Sequence, residues 1–309
     1  MTLIISDPIF LDHKTGSHPE SPQRLANIME KIGPLTIKQE TKMAPFWQKI
    51  HDPFLEGTHS KHQLSLIAKI AAAGGGQVDE DTILSPASWQ VAQRAAASGI
   101  MAVDSLLTTN QTQALCLVRP PGHHATDKKS MGFCLINNIA VTAEYCIRHY
   151  KMSRIAILDF DVHHGNGTQD IFYQRPDVLF VSLHRSPFYP GTGQLTETGS
   201  GQGLGATANF PIEMGTSRAS YLDTLRKGLE KVIQFKPDIL LISAGFDAHK
   251  DDPIGSLGLE TEDFKTIGAE IKNCAESICQ GRIISLLEGG YNITALEDSI
   301  AAYLVGQDT

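Results

Sequence analysis

The sequence predicts an α/β protein with a single parallel sheet that is flanked by helices on both faces. Short apolar runs rich in branched residues alternate with longer segments of helical periodicity, and this alternation is typical of strands joined by helical crossovers. Strands are predicted at residues 2–6, 114–118, 154–160, 178–183, 239–243 and 282–287. Helices are predicted at residues 88–107, 138–150, 218–235 and 261–279.

The composition favours one domain over residues 1–309 with a large core, since 41% of the residues are hydrophobic and no segment resembles a disordered tail. The formal net charge of -8, without a cluster of Lys and Arg, argues against direct nucleic-acid binding. Such a charge suits a cationic partner, although it is also an ordinary route to solubility.

The cysteines and the apolar runs bear on the cellular compartment. The five cysteines are odd in number and lack paired C-x-x-C spacing, which fits a reducing environment. No apolar stretch reaches about 18 residues, and no basic segment precedes the first apolar run. We therefore expect a cytoplasmic protein without a membrane segment. The pattern leaves open whether the chain forms a homo-oligomer.

Polar and glycine-rich segments lie at the carboxyl ends of five of the predicted strands. In parallel α/β sheets ligands bind beyond the carboxyl ends of the strands, so these segments are the candidate site. They are residues 119–125 (RPPGHHA), 159–167 (DFDVHHGNG), 182–184 (SLH), 243–249 (SAGFDAH) and 288–292 (EGGYN).

Asp161 and His163 are separated by one residue, so at an extended strand end both side chains project to the same side. Asp247, after another predicted strand, supplies a third ligand, and this mixed oxygen and nitrogen set suits zinc or ferrous iron. Three protein ligands leave a position open, which is the catalytic arrangement. The alternative to a metal site is that residues 159–164 form a polar turn after the strand. Asp159 is either the partner of a histidine or part of a second cation site.

Two further groups suit proton transfer and charge stabilisation. His123 and His124 follow a stiff Pro-Pro-Gly segment and can serve as general base and general acid in amide hydrolysis. Tyr291, after two glycines, can place a phenol against a developing oxyanion. The alternative for His123 and His124 is a solvent-exposed pair in a loop, and the alternative for Tyr291 is a surface turn.

Read together, these motifs resemble the histone deacetylase superfamily, from His18 to Tyr291, and are most similar to class II deacetylases and their bacterial relatives. The resemblance implies the arginase-deacetylase fold, with an eight-stranded parallel sheet in a single zinc-dependent domain. It implies hydrolysis of N-ε-acetyl-lysine, or a related acyl-lysine, in a protein or peptide. Two alternatives remain: a hydrolase of acetylated polyamines or similar small molecules, and a catalytically silent module that binds acyl-lysine.

The resemblance also implies residue roles. The zinc ligands are Asp161, His163 and Asp247, and the catalytic residues are His123, His124 and Tyr291. An inner potassium ion is held by the side chains of Asp159 and Ser182 and by the backbones of Asp161, His163 and Leu183. The acyl-lysine tunnel has walls at Gly132, Phe133 and Tyr189.

Two departures from the family pattern concern mechanism and substrate. Asn166 stands, as in class II members, where class I members carry an aspartate behind His124, so His124 lacks an anionic partner there and is easier to deprotonate. On this basis His123 is favoured as the general base, and the division of roles between His123 and His124 stays open. Ile254 stands where polyamine-specialised relatives carry a glutamate, which favours acyl-lysine. Asp79 and Asp81 are candidates for holding the substrate backbone.

Overall fold

A computed structural model describes residues 2–26, 28, 31 and 54–309 of the chain. Its main element is an all-parallel sheet with the strand order β1-β4-β9-β8-β5-β6-β7. The strands are β1 (Leu3–Ile5), β4 (Gln113–Cys116), β5 (Ile155–Asp159), β6 (Val178–Arg185), β7 (Thr207–Ile212), β8 (Ile239–Ala244) and β9 (Ile283–Leu287). Every residue of the central strands β4, β9, β8 and β5 is buried, which explains why their sequences are mostly apolar.

The predicted parallel α/β sheet and its six predicted strands are confirmed, but the implied count of eight strands is not. In the described part of the chain the sheet has seven strands. Strand β7 is absent from the predicted strands because Asn209 and Pro211 interrupt its apolar pattern. Proline lacks a backbone donor, and β7 tolerates it as an edge strand.

Two further strands, β2 (Gly76–Asp79) and β3 (Thr82–Leu84), form a separate antiparallel hairpin that the sequence analysis did not predict. The residues of β2 are exposed or half-buried, so this strand lacks the two covered faces that a place in the main sheet requires. Asp81 lies in the turn between the two strands.

Helices cover both faces of the sheet. They are α1 (Gln23–Ala26), α2 (Leu55–Thr58), α3 (Lys61–Ala72), α4 (Ser88–Thr108), α5 (Asn138–Arg148), α6 (Asn166–Phe172), α7 (Arg218–Phe235), α8 (Thr261–Cys279) and α9 (Ile293–Asp308), with short 3-10 turns at Pro8–Asp12 and Gly201–Gly203. The four predicted helices correspond to α4, α5, α7 and α8. None of the helices in the described ranges has the length and apolarity needed to cross a membrane.

Local sequence explains where several helices begin. The side chain of Asn137 accepts a hydrogen bond from the backbone N–H of Ala140 at the start of α5, and Ser217 caps α7 in the same way. A reciprocal pair of hydrogen bonds between Glu260 and Asp263 starts α8. These caps place the helices after the loops that carry the site.

Candidate active site

Four adjacent strands, β4, β9, β8 and β5, end at the same edge of the sheet. The residues that follow them are the predicted ones: the histidine pair after β4, Tyr291 after β9, Asp247 after β8, and Asp161 with His163 after β5. Parallel pairing therefore brings together side chains that are far apart in the sequence.

Asp161, His163 and Asp247 form a buried cluster whose ligand atoms lie within 4.8 Å of one another. The Nδ1 atom of His163 lies 3.1 Å from an oxygen of Asp161 and 3.1 Å from an oxygen of Asp247. The backbone N–H groups of Val162 and Gly289 donate to the two carboxylates and fix their orientation. A nitrogen and two carboxylate oxygens that converge in a buried pocket fit a divalent metal ion with mixed donors.

The charge balance of this cluster also favours a bound cation. Burial opposes a charged His163, but Asp161 and Asp247 raise its pKa to about 9. Burial and the charge of Asp161 raise the pKa of Asp247 to about 7. Burial likewise opposes ionisation of Asp161, yet the charges of His123 and His163 hold its pKa below the usual range. The proton on Nδ1 of His163 therefore lies between the two carboxylates, and a metal ion shared by these three residues would replace it.

The two adjacent histidines have different partners. Nδ1 of His123 lies 2.9 Å from a carboxylate oxygen of Asp159, whereas Nδ1 of His124 lies 2.7 Å from the amide oxygen of Asn166. Burial disfavours a charged His123, but Asp159, Asp161 and Glu288 raise its pKa to about 10. Burial, followed by the charges of His123 and His163, holds the pKa of His124 well below its usual value.

A narrow cavity of about 230 Å³ leads to the site. It is lined by Asp81, His124, Gly132, Phe133, His163, Phe188, Tyr189, Ile254 and Tyr291. The predicted tunnel residues Gly132, Phe133, Tyr189 and Ile254 all lie in its wall. Asp81, but not Asp79, also lines it, and Asp79 instead forms an ion pair with Lys129.

Aromatic rings make up most of the cavity wall. The ring of Phe133 packs edge to face against Tyr291, with 5.7 Å between centroids, and the ring of Tyr189 packs in the same manner against His124. Phe188, which the sequence analysis missed, stacks face to face on the imidazole of His163 at 5.1 Å. Phe188 is therefore an aromatic residue of the cavity wall in addition to Phe133 and Tyr189.

Tyr291 has a protonated hydroxyl and a fixed backbone. Burial raises the pKa of its phenol well above the usual value, so the hydroxyl remains a hydrogen-bond donor at neutral pH. The backbone N–H of Tyr291 donates to Asp252, and the guanidinium of Arg24 lies 5.0 Å from the centre of the ring. Tyr291 is thus part of the cavity and not of a surface turn.

The residues of the expected potassium site also lie together. Asp159 and Ser182 are register partners on β5 and β6, and both are fully buried. Asp159 accepts hydrogen bonds from His123 through one oxygen and from the backbone N–H of Asp161 through the other. The role of Asp159 as a partner of a histidine is therefore observed. The potassium ion, with Leu183 as a backbone ligand, stays a prediction.

Glu288, the first residue of the EGGYN segment, has a structural role that the sequence did not predict. One of its carboxylate oxygens accepts hydrogen bonds from the backbone N–H groups of Gly122 and His123, at 2.6 Å and 3.1 Å. Burial raises its pKa to about 7. A carboxylate directly after a buried strand is the signal that could have identified it. Glu288 anchors the turn that presents the histidine pair.

The comparisons with known proteins agree with this geometry. Residues 18–306 match the family model of the histone deacetylase domain. A probable deacetylase of Methanothermobacter thermautotrophicus is 38% identical over 309 residues, covering 99% of this chain and 90% of that protein. A histone deacetylase-like amidohydrolase of Pseudomonas aeruginosa is 35% identical over 276 residues, covering 89% and 72%. The structure of an acetylpolyamine aminohydrolase from Burkholderia pseudomallei superposes with a TM-score of 0.85 at 27% identity, covering 99% and 98%.

Proposed function

The chain belongs to the histone deacetylase family of amide hydrolases, and we propose that it hydrolyses N-ε-acetyl-lysine in proteins or peptides, releasing acetate and free lysine. One observation carries this proposal: His124, His163 and Tyr291 line the same narrow aromatic cavity. Such a cavity suits the methylene chain of a lysine, and its inner groups suit hydrolysis of the amide at the end of that chain.

We propose zinc at Asp161, His163 and Asp247, where, when bound, it supplies the Lewis acidity that polarises a carbonyl and lowers the pKa of water. The three side chains are held by backbone N–H groups and by one another. This rigidity favours a preformed site.

His124 is the general base in this proposal, which reverses the preference for His123. The amide oxygen of Asn166 can only accept a hydrogen bond, so Nδ1 of His124 carries the proton and Nε2 is free to take one from the attacking water. His124 lines the cavity, whereas His123 lies behind it. His123, paired with Asp159, stays protonated and stabilises negative charge. The protonated His124 then donates to the departing amine.

Tyr291 is proposed to donate its hydroxyl to the oxyanion that forms on the substrate carbonyl. Its raised pKa suits this role because the hydroxyl has to stay protonated. Beneath these groups, Asp159 and Ser182 with the backbone of Leu183 are proposed to hold a structural potassium ion. The proposed partners are acetylated proteins or peptides and not nucleic acid, and the proposed location is the cytoplasm.

The test is turnover of a fluorogenic acetyl-lysine peptide by the purified, zinc-loaded chain. Release of free lysine is the expected result. Zinc-loaded protein that turns over neither this peptide nor peptides with other acyl groups contradicts the proposal. If such protein still binds the acetylated peptide, the chain is a silent acyl-lysine binding module.

Hydrolysis of an acetylated polyamine is the second candidate. It is favoured by Asp81, the only acidic side chain in the cavity lining among the described residues, because a carboxylate there can hold a distant ammonium group. Specificity constants for acetylspermidine and an acetyl-lysine peptide distinguish the two. We expect the peptide to be preferred because the side chain at position 254 is an isoleucine without charge.

A further inference from the structure

Arg185, the last residue of β6, lies behind the wall of the cavity and contacts that wall directly. Its guanidinium sits over the ring of Phe188, 4.1 Å from the centroid. The ring of Phe188 also stacks on the imidazole of His163, with an interplanar angle of 17°. Arg185 and His163 thus both pack on the ring of Phe188, which is part of the cavity wall.

The same guanidinium also supports a second wall. Nη1 of Arg185 donates to the backbone carbonyl of Gly255 at 2.9 Å, next to Ile254, which lines the cavity. Gly255 is packed so closely that a Cβ there would collide with the backbone of Asp247 and come within 2.6 Å of Val162. The close packing fixes the position of the Gly255 carbonyl, and with it the position of the hydrogen bond from Arg185.

The far side of this short segment is held by Asp252. One oxygen of its carboxylate accepts hydrogen bonds from the N–H groups of Ile254 and Gly255, both at 2.9 Å. The other oxygen accepts from the N–H of Tyr291 at 2.7 Å. A chain of contacts therefore runs from Tyr291 through Asp252 and Gly255 to Arg185, and from there to Phe188.

We propose that Arg185 is a positioning residue that sets the distance between the Phe188 and Ile254 walls and thereby the size of acyl group that the cavity accepts. The inference rests on the proposed hydrolysis of acyl-lysine. Arginine suits the task because its planar group covers an aromatic face while its edge donates to a carbonyl. Lysine has a compact ammonium group, which covers an aromatic ring and donates to a carbonyl at the same time less well than a guanidinium does.

The first test compares Arg185→Met and Arg185→Lys with the wild type on acetyl-lysine and butyryl-lysine peptides of identical sequence. Arg185→Met keeps a long apolar side chain but loses the charge and the donor. We expect it to raise KM for the acetyl peptide about threefold to tenfold, with kcat within about twofold. The preference for acetyl over butyryl should fall by a similar factor, and Arg185→Lys should lie between.

Arg226→Met is the matched control, because Arg226 is an exposed arginine on α7 whose ion pairs with Asp223 and Glu270 lie outside the cavity wall. It should behave as the wild type. Phe188→Leu, which removes the ring that Arg185 covers, should reproduce the loss of selectivity. Unchanged KM and unchanged selectivity in Arg185→Met and Arg185→Lys overturn the inference.

A second readout separates this inference from the proposed function. Calorimetry on zinc-loaded protein measures the affinities of two hydroxamates that differ only in the width of the group next to the hydroxamate. If the wild-type protein does not turn over acyl-lysine peptides, the proposed function is wrong. Even then, a changed ratio of the two affinities in Arg185→Met supports the positioning role, and an unchanged ratio overturns it.

Discussion

Nδ1 of His124 lies 2.7 Å from the amide oxygen of Asn166. Since an amide carries no charge, this contact orients the imidazole but stabilises its protonated form less than a carboxylate would. The neighbouring His123 faces the carboxylate of Asp159. The asparagine at position 166 therefore makes the two adjacent histidines electrostatically different. His124 is the neutral base, and His123 is its charged neighbour.

The substitution Asn166→Asp tests this difference. A carboxylate at position 166 stabilises the protonated form of His124 and so raises its pKa, which burial and its charged neighbours hold low. Because a base has to be unprotonated to act, the acidic limb of the profile of kcat/KM against pH should move up by about one to two pH units. An acidic limb that stays in place would show that His124 is not the base.

Tyr291→Phe removes the proposed donor to the oxyanion and leaves the ring in the wall. We expect kcat to fall about 10²-fold to 10³-fold while KM changes little, because the hydroxyl acts mainly in the transition state. Zinc content, measured by mass spectrometry, should stay at the wild-type level. A loss of metal in this variant would indicate disruption of the site instead.

Zinc affinity should increase with pH. A metal ion has to displace the proton of His163, whose pKa the carboxylates of Asp161 and Asp247 raise to about 9 against the effect of burial. Below that pH, each unit of increase should strengthen binding about tenfold. Competition with a chelator at several pH values measures this slope. Because the range from about pH 6.5 to 8.5 lies below the pKa of His163, about 9, an affinity that does not vary over this range contradicts the assignment of His163 as a ligand.

Gly132→Ala should damage catalysis through a direct collision. Gly132 has a positive φ of 57°, and a Cβ there would collide with the imidazole of His124. A displacement of the base by about 1 Å costs on the order of 10²-fold in kcat. Gly215→Ala is the control, since Gly215 also has a positive φ but has open space around it. Equal effects of the two variants would point to backbone strain alone.

Glu288→Ala should destabilise the protein even without metal. It leaves the buried N–H groups of Gly122 and His123 without their acceptor, at a cost of about 2 kcal/mol. Chemical denaturation of the metal-free variant measures the change in the free energy of unfolding. Wild-type stability in this variant would mean that the turn does not depend on Glu288.

The sequence by itself determined the alternation of strands and helices, the parallel sheet and the residues at the carboxyl ends of its strands. These features depend on the periodicity of apolar residues and on the spacing of nearby polar residues, such as Asp161 and His163. Both can be read from a short segment of the chain. The edge strand β7 was not predicted because Asn209 and Pro211 interrupt its apolar pattern. An edge strand tolerates such residues because it has a neighbouring strand on one side only.

Only the tertiary structure decided which neighbours each side chain has. Nothing local in the sequence indicates that Glu288 holds the His123 turn, that Phe188 covers His163, or that Arg185 reaches Gly255. These contacts join residues from different strand ends, and they exist because parallel pairing aligns those ends at one edge. Local propensity carries no information about such distant pairs, whereas the packing of the whole sheet determines them.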